Sequence, residues 1–304
     1  MEALLKQLFV MYIFILLGWY FGRIKKDLGE KSNILSYLLV NLFFPCKLFL
    51  NFSTNFTVSY LRDNYLTVFI SLGILAALVG LGYLVPKALT KEPYERKVYN
   101  YSTSVSNYAY FGYVLVEQTL GDAAMNNLMV FCIPFALYCY TFGVAMLMNR
   151  GNSFKSLINT VTVSIGLGIV WGLLQLPVPD MFRTAMQNAS ACVGPVSMVL
   201  VGLTLSTFPI KSLIPGKAVW AFCGIRLLVL PFVVWGICRL LGLVMTLPEA
   251  VYPSAVLMAC MPCGLNTVVF PRMIGQDCRL GAKLILLSCI LSCVTIPFWL
   301  WFLT

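Results

Sequence analysis

The 304-residue sequence contains no histidine. Histidine general bases, Ser-His triads, His-ligated zinc and haem ligation all need an imidazole, so none of these can be built. Charge of either sign is scarce, at 11% of residues against about a quarter in soluble domains. Acids are scarcer than bases, eleven against 21. Most acids (Asp27, Glu30, Asp63, Glu92, Glu95, Asp122, Asp180, Glu249, Asp277) fall in connecting stretches, which disfavours a two-aspartate intramembrane protease. The eleven cysteines show no paired spacing, and most sit in apolar runs as small hydrophobes. Cys260 and Cys263 form one C-x-x-C, without a second pair or a flanking βαβ pattern. No phosphate-binding glycine loop, heptad repeat or nucleic-acid motif is present. The chain reads as no enzyme, with no cofactor and no metal site.

What is abundant is apolar surface, 60% of residues. One membrane span takes about 20 residues, so ten spans occupy roughly 200 and leave only short connections. Ten candidate spans lie near 5–22, 33–52, 65–85, 98–119, 124–148, 157–176, 185–207, 218–241, 250–273 and 281–302. The first run, Leu8–Phe21, lacks a small-residue cleavage site and reads as a span, not a signal peptide. Trp299 with Trp301, and Tyr12, Trp19 and Tyr20, sit near span ends and fit an interfacial aromatic belt.

The net charge of +10 would suggest nucleic acid in a soluble protein. Here the bases occupy short loops and act as an orientation signal. Loops after odd-numbered spans carry Arg23, Lys25, Lys26 and Lys31, then Lys87, Lys91, Arg96 and Lys97, then Arg150 and Lys155, Lys211 and Lys217, and Arg279. The opposite face holds Lys6, Arg62 and Arg183, with Arg239 near a span end. The positive-inside rule places the odd loops in the cytoplasm and both termini outside. Ten spans divide into residues 1–148 and 149–304, five in each. Because five is odd, the second half enters from the other face, an inverted repeat. Pro45 and Pro195 lie 150 residues apart in spans 2 and 7, and Asn107 and Asn266 lie 159 apart in spans 4 and 9.

Spans 4 and 9 are the interrupted pair. Span 4 opens Tyr101-Ser-Thr-Ser-Val-Ser106-Asn107 and is rich in hydroxyls. Span 9 contains Met261-Pro262-Cys-Gly264-Leu-Asn266, where the proline removes a backbone donor and clashes with the preceding turn. Freed backbone groups at membrane depth are tolerated only against protein or a water-filled cavity. Polar, broken helices at matching places in two halves point to a transporter's binding site. For either asparagine alone, a bond to a neighbouring helix explains it equally well.

Several stretches together resemble the auxin efflux carrier family. They are Asn41-Leu-Phe-Phe-Pro45, Ser106-Asn107 with Phe111-Gly112, Gly194-Pro195 through Gly202, and Met261 to Thr267. Gly275-Gln-Asp277 and Ser288 to Pro297 also fit, so the resemblance runs the length of the chain and is closest to bacterial malate/malonate permease-like members. It implies an all-α membrane protein of ten helices in two inverted five-helix repeats, with broken helices 4 and 9 crossing. A scaffold would come from helices 1, 2, 6 and 7, and a transport bundle from helices 3–5 and 8–10. Asn107, Ser106, Pro262 and Asn266 would contact an organic acid anion at the crossover, with Gly112 beside them and Pro45 and Pro195 bending scaffold helices that face it. The family's usual proline after the span-4 glycine is replaced by Tyr113, so that break rests on Gly112 and the polar run. The implied partners are a small organic anion and the lipid bilayer, with no nucleic acid. A homodimer stays open.

Half-helix N-termini carry partial positive charge and free amides, so a carboxylate can bind without a full cation, and asparagine adds neutral donors. Span 9 has no acid between Glu249 and Asp277, and span 4 only Glu117, so a central proton-titrating pair is not expected. Sodium coupling and uncoupled, potential-driven transport both stay open. Glu117 and Arg226 read either as relay residues or as partners of neighbouring helix groups. Rival readings are a sodium-coupled, bile-acid-type symporter and a non-transporting membrane sensor or scaffold. The short central connection, Asn149–Ser156, suggests a compact bacterial inner-membrane carrier. Lys47 lies inside the apolar run of span 2, where insertion of an isolated charge costs about 2.5–3.5 kcal/mol. It either faces the central cavity or snorkels to an interface. If it faces the cavity, Lys47→Met lowers substrate affinity or rate in a transport assay, and unchanged values exclude that role.

Overall fold

The computed structural model describes residues 2–149 and 158–303, so Arg150 and Lys155 of the central connection lie outside the described residues. Everything regular in it is helical. In order, the helices are α1 (Glu2–Ile24), α2 (Lys26–Glu30), α3 (Ser32–Leu38), α4 (Phe44–Asn55), α5 (Val58–Leu89), α6 (Pro93–Ser104), α7 (Tyr113–Phe131), α8 (Ile133–Tyr138) and α9 (Val144–Leu147). There follow α10 (Thr160–Leu173), α11 (Asp180–Ala191), α12 (Val193–Ser206), α13 (Lys217–Gly224), α14 (Leu230–Val244), α15 (Val251–Cys260), α16 (Asn266–Met273) and α17 (Arg279–Leu303). Hydrocarbon offers no hydrogen bonds to a backbone, so apolar runs of this length satisfy their own amides and carbonyls as helices.

Among the described residues, six helical stretches are long and apolar enough to cross a membrane: Leu5–Ile24, Asp27–Asn55, Val58–Leu89, Asp180–Ser206, Lys217–Val244 and Arg279–Leu303. A seventh forms if Tyr108–Phe131 and Ile133–Leu147, bent by 52°, act as one. The chain is a multi-pass membrane protein. Expected span 9 is short because it is interrupted. α15 has ten residues, which is about 15 Å of helix against a hydrocarbon core of about 30 Å. Gly121, at φ 85° and ψ 176°, divides α7 near the turn expected between spans 4 and 5. Only glycine takes that conformation without strain.

Among the described residues, four wide π turns, at Leu39–Phe43, Tyr108–Gly112, Cys139–Gly143 and Ile225–Val229, join helices that would otherwise be continuous. Such turns are rare and concentrate at functional sites. α10 begins with a capping box, in which the Asn159 side chain accepts from the Val161 and Thr162 amides and the Thr162 hydroxyl accepts from the Asn159 amide. Before α17, the Asp277 carboxylate accepts from the Arg279 backbone at 2.9 Å and from its guanidinium at 2.7 Å. Hydrogen bonding from Arg279 holds that carboxyl below its ordinary value.

The chain divides into two compact units, each drawn from both halves of the sequence. One comprises Met1–Val10, Leu66–Asn152 and Phe208–Thr304. In it α15 packs on α7, α14 and α17, while α16 packs on α6, α9 and α17. Trp299 belongs to this core and not to an interfacial belt. It is fully buried, meets the Phe232 ring edge-on at 4.5 Å between centroids, and donates to the Leu227 carbonyl at 2.8 Å. Its indole nitrogen finds a carbonyl where the π turn Ile225–Val229 loosens the helix, so it needs no headgroup. Trp301 stays exposed.

The other unit comprises Met11–Tyr65 and Ser153–Thr207. Here α4 lies against α10 and α11, and α12 against α2 and α3. Small residues let the backbones of α1 and α12 touch. A Cβ at Gly202 would sit 2.0 Å from the Ile15 carbonyl oxygen, and one at Gly18 2.2 Å from that of Val199. Gly202→Ala is therefore expected to cost about 1–3 kcal/mol through overpacking. Thermal denaturation in detergent checks this against Gly80→Ala, whose added methyl meets nothing within 4 Å. Equal melting temperatures would show that the α1–α12 contact yields freely.

Candidate functional site

The hydroxyls of span 4 turn back onto its own backbone: Thr103 bonds the Tyr99 carbonyl at 2.8 Å and Ser104 that of Asn100 at 3.0 Å. Such bonds compete with helix propagation. α6 stops at Ser104, and Val105 is extended (φ −126°, ψ 125°). In span 9, α15 stops at Cys260, and Met261 is extended (φ −68°, ψ 148°). That is the conformation forced on a residue preceding proline. The break in span 4 therefore lies at 105–107, in the polar run and upstream of Gly112. Gly112 instead ends a π turn, where a Cβ would approach Met261 Cγ to 3.2 Å.

The two breaks satisfy one another. The Asn107 amide donates to the Pro262 carbonyl at 2.8 Å, and Ser106 and Cys263 form an antiparallel bridge. The Ser106 hydroxyl donates to the Met258 carbonyl at 2.7 Å, and the Cys263 amide donates to the Ser288 hydroxyl at 3.0 Å. Arg226, on the π turn before α14, is wholly buried and reaches both breaks. Its Nε donates to the Met261 carbonyl at 3.3 Å and its Nη1 to the Thr103 carbonyl at 3.2 Å. Both carbonyls lie at helix C-termini, where the partial charge is negative and a cation is favoured. The remaining Arg226 nitrogen has no hydrogen-bond partner.

Beside the breaks lies a small cavity whose lining includes Ser106, Asn107, Tyr110, Cys139, Tyr140 and Asn266, and no carboxylate. Its room for water is about 10 Å³, roughly one molecule, so in this conformation it is closed to a carboxylate ligand. The two asparagines differ. Asn266 Nδ2 donates to the Tyr101 hydroxyl at 2.8 Å and lies 3.3 Å from Cys139 Sγ. Asn107 Nδ2 is buried with no hydrogen-bond partner, and its residue is only 3% exposed. The Tyr110 and Tyr140 hydroxyls are 3.0 Å apart.

Of the expected site residues, Ser106, Asn107 and Asn266 line this cavity and Pro262 accepts at its edge. Pro45, Lys47 and Pro195 belong to the other unit. Pro45 lies just after the π turn Leu39–Phe43, and Pro195 sits in the first turn of α12. Lys47 is only 5% exposed, so it does not snorkel outward. Glu117 is not among the cavity residues. Arg226 pairs with helix carbonyls, one of the two roles the sequence left open. The tyrosines and Cys139 were not foreseen, because aromatics and cysteines are common in apolar spans.

Residues 3–157 and 152–300 match the family model described as Membrane transport protein. The chain belongs to that family, the family of the auxin efflux carriers. No individual curated protein matches it.

In this membrane transport protein the Arg226 clamp carries a testable cost. Arg226→Gln is too short to reach both carbonyls and leaves at least one unmet, a loss of about 1–3 kcal/mol. A lower denaturation temperature for Arg226→Gln, with partial recovery in Arg226→Lys, is the expected result. Identical melting of all three proteins would show that the clamp contributes nothing.

Proposed function

We propose that this membrane transport protein is a carrier of small organic acid anions, with a carboxylate received at the paired breaks of spans 4 and 9. The observation that carries the reading is Asn107 Nδ2, a buried amide donor without a partner in a cavity that contains no acid. An unmet buried donor costs about 1–3 kcal/mol, which a ligand oxygen would recover. The uncompensated guanidinium of Arg226 adds positive potential to the same breaks, which favours an anion. Asn266 and Ser106 then hold the cavity wall, while Pro262 and Gly112 shape the crossing. Pro45, Lys47 and Pro195, expected at the site from the sequence, belong to the second unit.

The architecture we infer is ten spans in two inverted five-helix repeats, residues 1–148 and 149–304. Spans 3–5 and 8–10 form a transport bundle that moves against spans 1, 2, 6 and 7 in an elevator-like cycle. The two compact units support this reading, since each takes segments from both halves. The loop charges support odd loops in the cytoplasm of a bacterial inner membrane and both termini outside. Carboxylates and dicarboxylates of the malate and malonate kind are the substrates we favour, driven by membrane potential or a coupled ion.

Binding of a panel of mono- and dicarboxylates to the purified full chain, with and without sodium, tests the class. Asn107→Ala is expected to weaken the best ligand roughly tenfold to a hundredfold, the worth of a hydrogen bond to a charged group. Asn107→Asp, which sets a carboxylate against the ligand, is expected to abolish binding. Unchanged affinity in both variants would remove Asn107 from the site.

A further inference from the structure

A second cavity, of about 340 Å³, opens at the far end of the transport-bundle unit. Its walls are the last turns of α5, the first two turns of α6, and α9. Lys87 comes from α5 and Arg96 and Lys97 from α6, so three cations from two helices converge on one opening. Among the described residues none of the three takes part in an ion pair. Of the two acids nearby, Glu95 accepts from the Thr90 hydroxyl at 2.6 Å, and Glu92 takes part in no ion pair among the described residues. Arg96 bonds the Thr90 carbonyl through Nε at 3.0 Å, and Lys97 Nζ bonds Asn149 Oδ1. These bonds orient two cations without neutralising them.

The floor and the flank are of different character. At the floor α5 and α6 nearly touch, since a Cβ at Gly82 would lie 2.8 Å from Asn100 Oδ1. One turn back along α5 from Lys87, Tyr83, which lines the opening, and Leu84 are 62% and 61% exposed. Met146 adds an apolar wall. Cations at a span end above exposed apolar surface match an amphiphile with an anionic head. A soluble anion would have no use for the Tyr83–Leu84 strip. The volume falls within the roughly 300–1,000 Å³ of small-molecule pockets. Basic pockets between helices at membrane ends are suited to anionic lipid headgroups.

We propose that this cavity binds the phosphate headgroup of an anionic phospholipid, held by Lys87, Arg96 and Lys97 with its acyl chains along Tyr83 and Leu84. The site is separate from the substrate cavity, and its three cations play no part in the crossover.

The test is titration of the full chain in neutral detergent with short-chain phosphatidylglycerol, read by native mass spectrometry and by thermal shift. Phosphatidylcholine and glycerol 3-phosphate are the comparison ligands. Phosphatidylglycerol is expected to bind and to raise the melting temperature, with little effect from the other two. The double variant Lys87→Gln/Arg96→Gln is expected to weaken that binding roughly thirtyfold, at about one headgroup–cation contribution per residue. Lys211→Gln/Lys217→Gln removes the same charge from two other exposed positions and is expected to bind as the parent does. Equal loss in both double variants would reduce the effect to net charge and overturn the site. Equal binding of phosphatidylcholine would overturn the role of the anionic head, and equal stabilisation by glycerol 3-phosphate would assign the cavity to a soluble anion. Retained binding in Lys87→Gln/Arg96→Gln would also overturn it.

Discussion

The structure of the bundle unit depends on two interrupted helices supplying each other's missing hydrogen bonds. A proline and a run of hydroxyls end α15 and α6 deep in the protein, and each ending strands backbone groups that lipid cannot satisfy. The Asn107 amide on the Pro262 carbonyl, the Ser106–Cys263 bridge and the Ser106 hydroxyl on the Met258 carbonyl remove most of that cost. Arg226 takes the carbonyls of Thr103 and Met261 at the two C-terminal ends. Neither break would be stable alone.

This pairing also explains why the candidate site is polar without being acidic. The cavity is walled by amides, phenols and a thiol. Charge enters through one buried arginine whose hydrogen bonds go to carbonyls, leaving its positive charge unneutralised by any acid there. This combination supports the proposed reading, in which an anion is drawn by potential and held by amide donors. The closed cavity fits a carrier whose binding groups meet a ligand only in another conformation.

Much of this was legible in the residues. Pro262 sets the conformation of Met261 through local sterics, so the end of α15 could be placed within a residue or two. The polarity of Tyr101 to Asn107 marked the second interruption, although Gly112 drew attention too far along the chain. Trp299 was misread because its position near the C-terminus suggests an interface. Only packing against Phe232 and the Leu227 carbonyl puts it in the core. Tyr110, Tyr140 and Cys139 carry no sequence signal, since their residue types are ordinary in membrane helices and only the π turns bring them to one cavity.

The sequence by itself determined that the chain is a helical membrane protein without imidazole chemistry, with helices broken near Asn107 and Pro262. These properties follow from composition and from local backbone sterics, which need no partner. Tertiary structure alone decided which strands of hydrogen bonding close the breaks, that Arg226 spans both, and that Asn107 keeps an unspent donor while Asn266 does not. Those outcomes depend on residues more than a hundred positions apart meeting within about 3 Å, and no local rule encodes such a meeting.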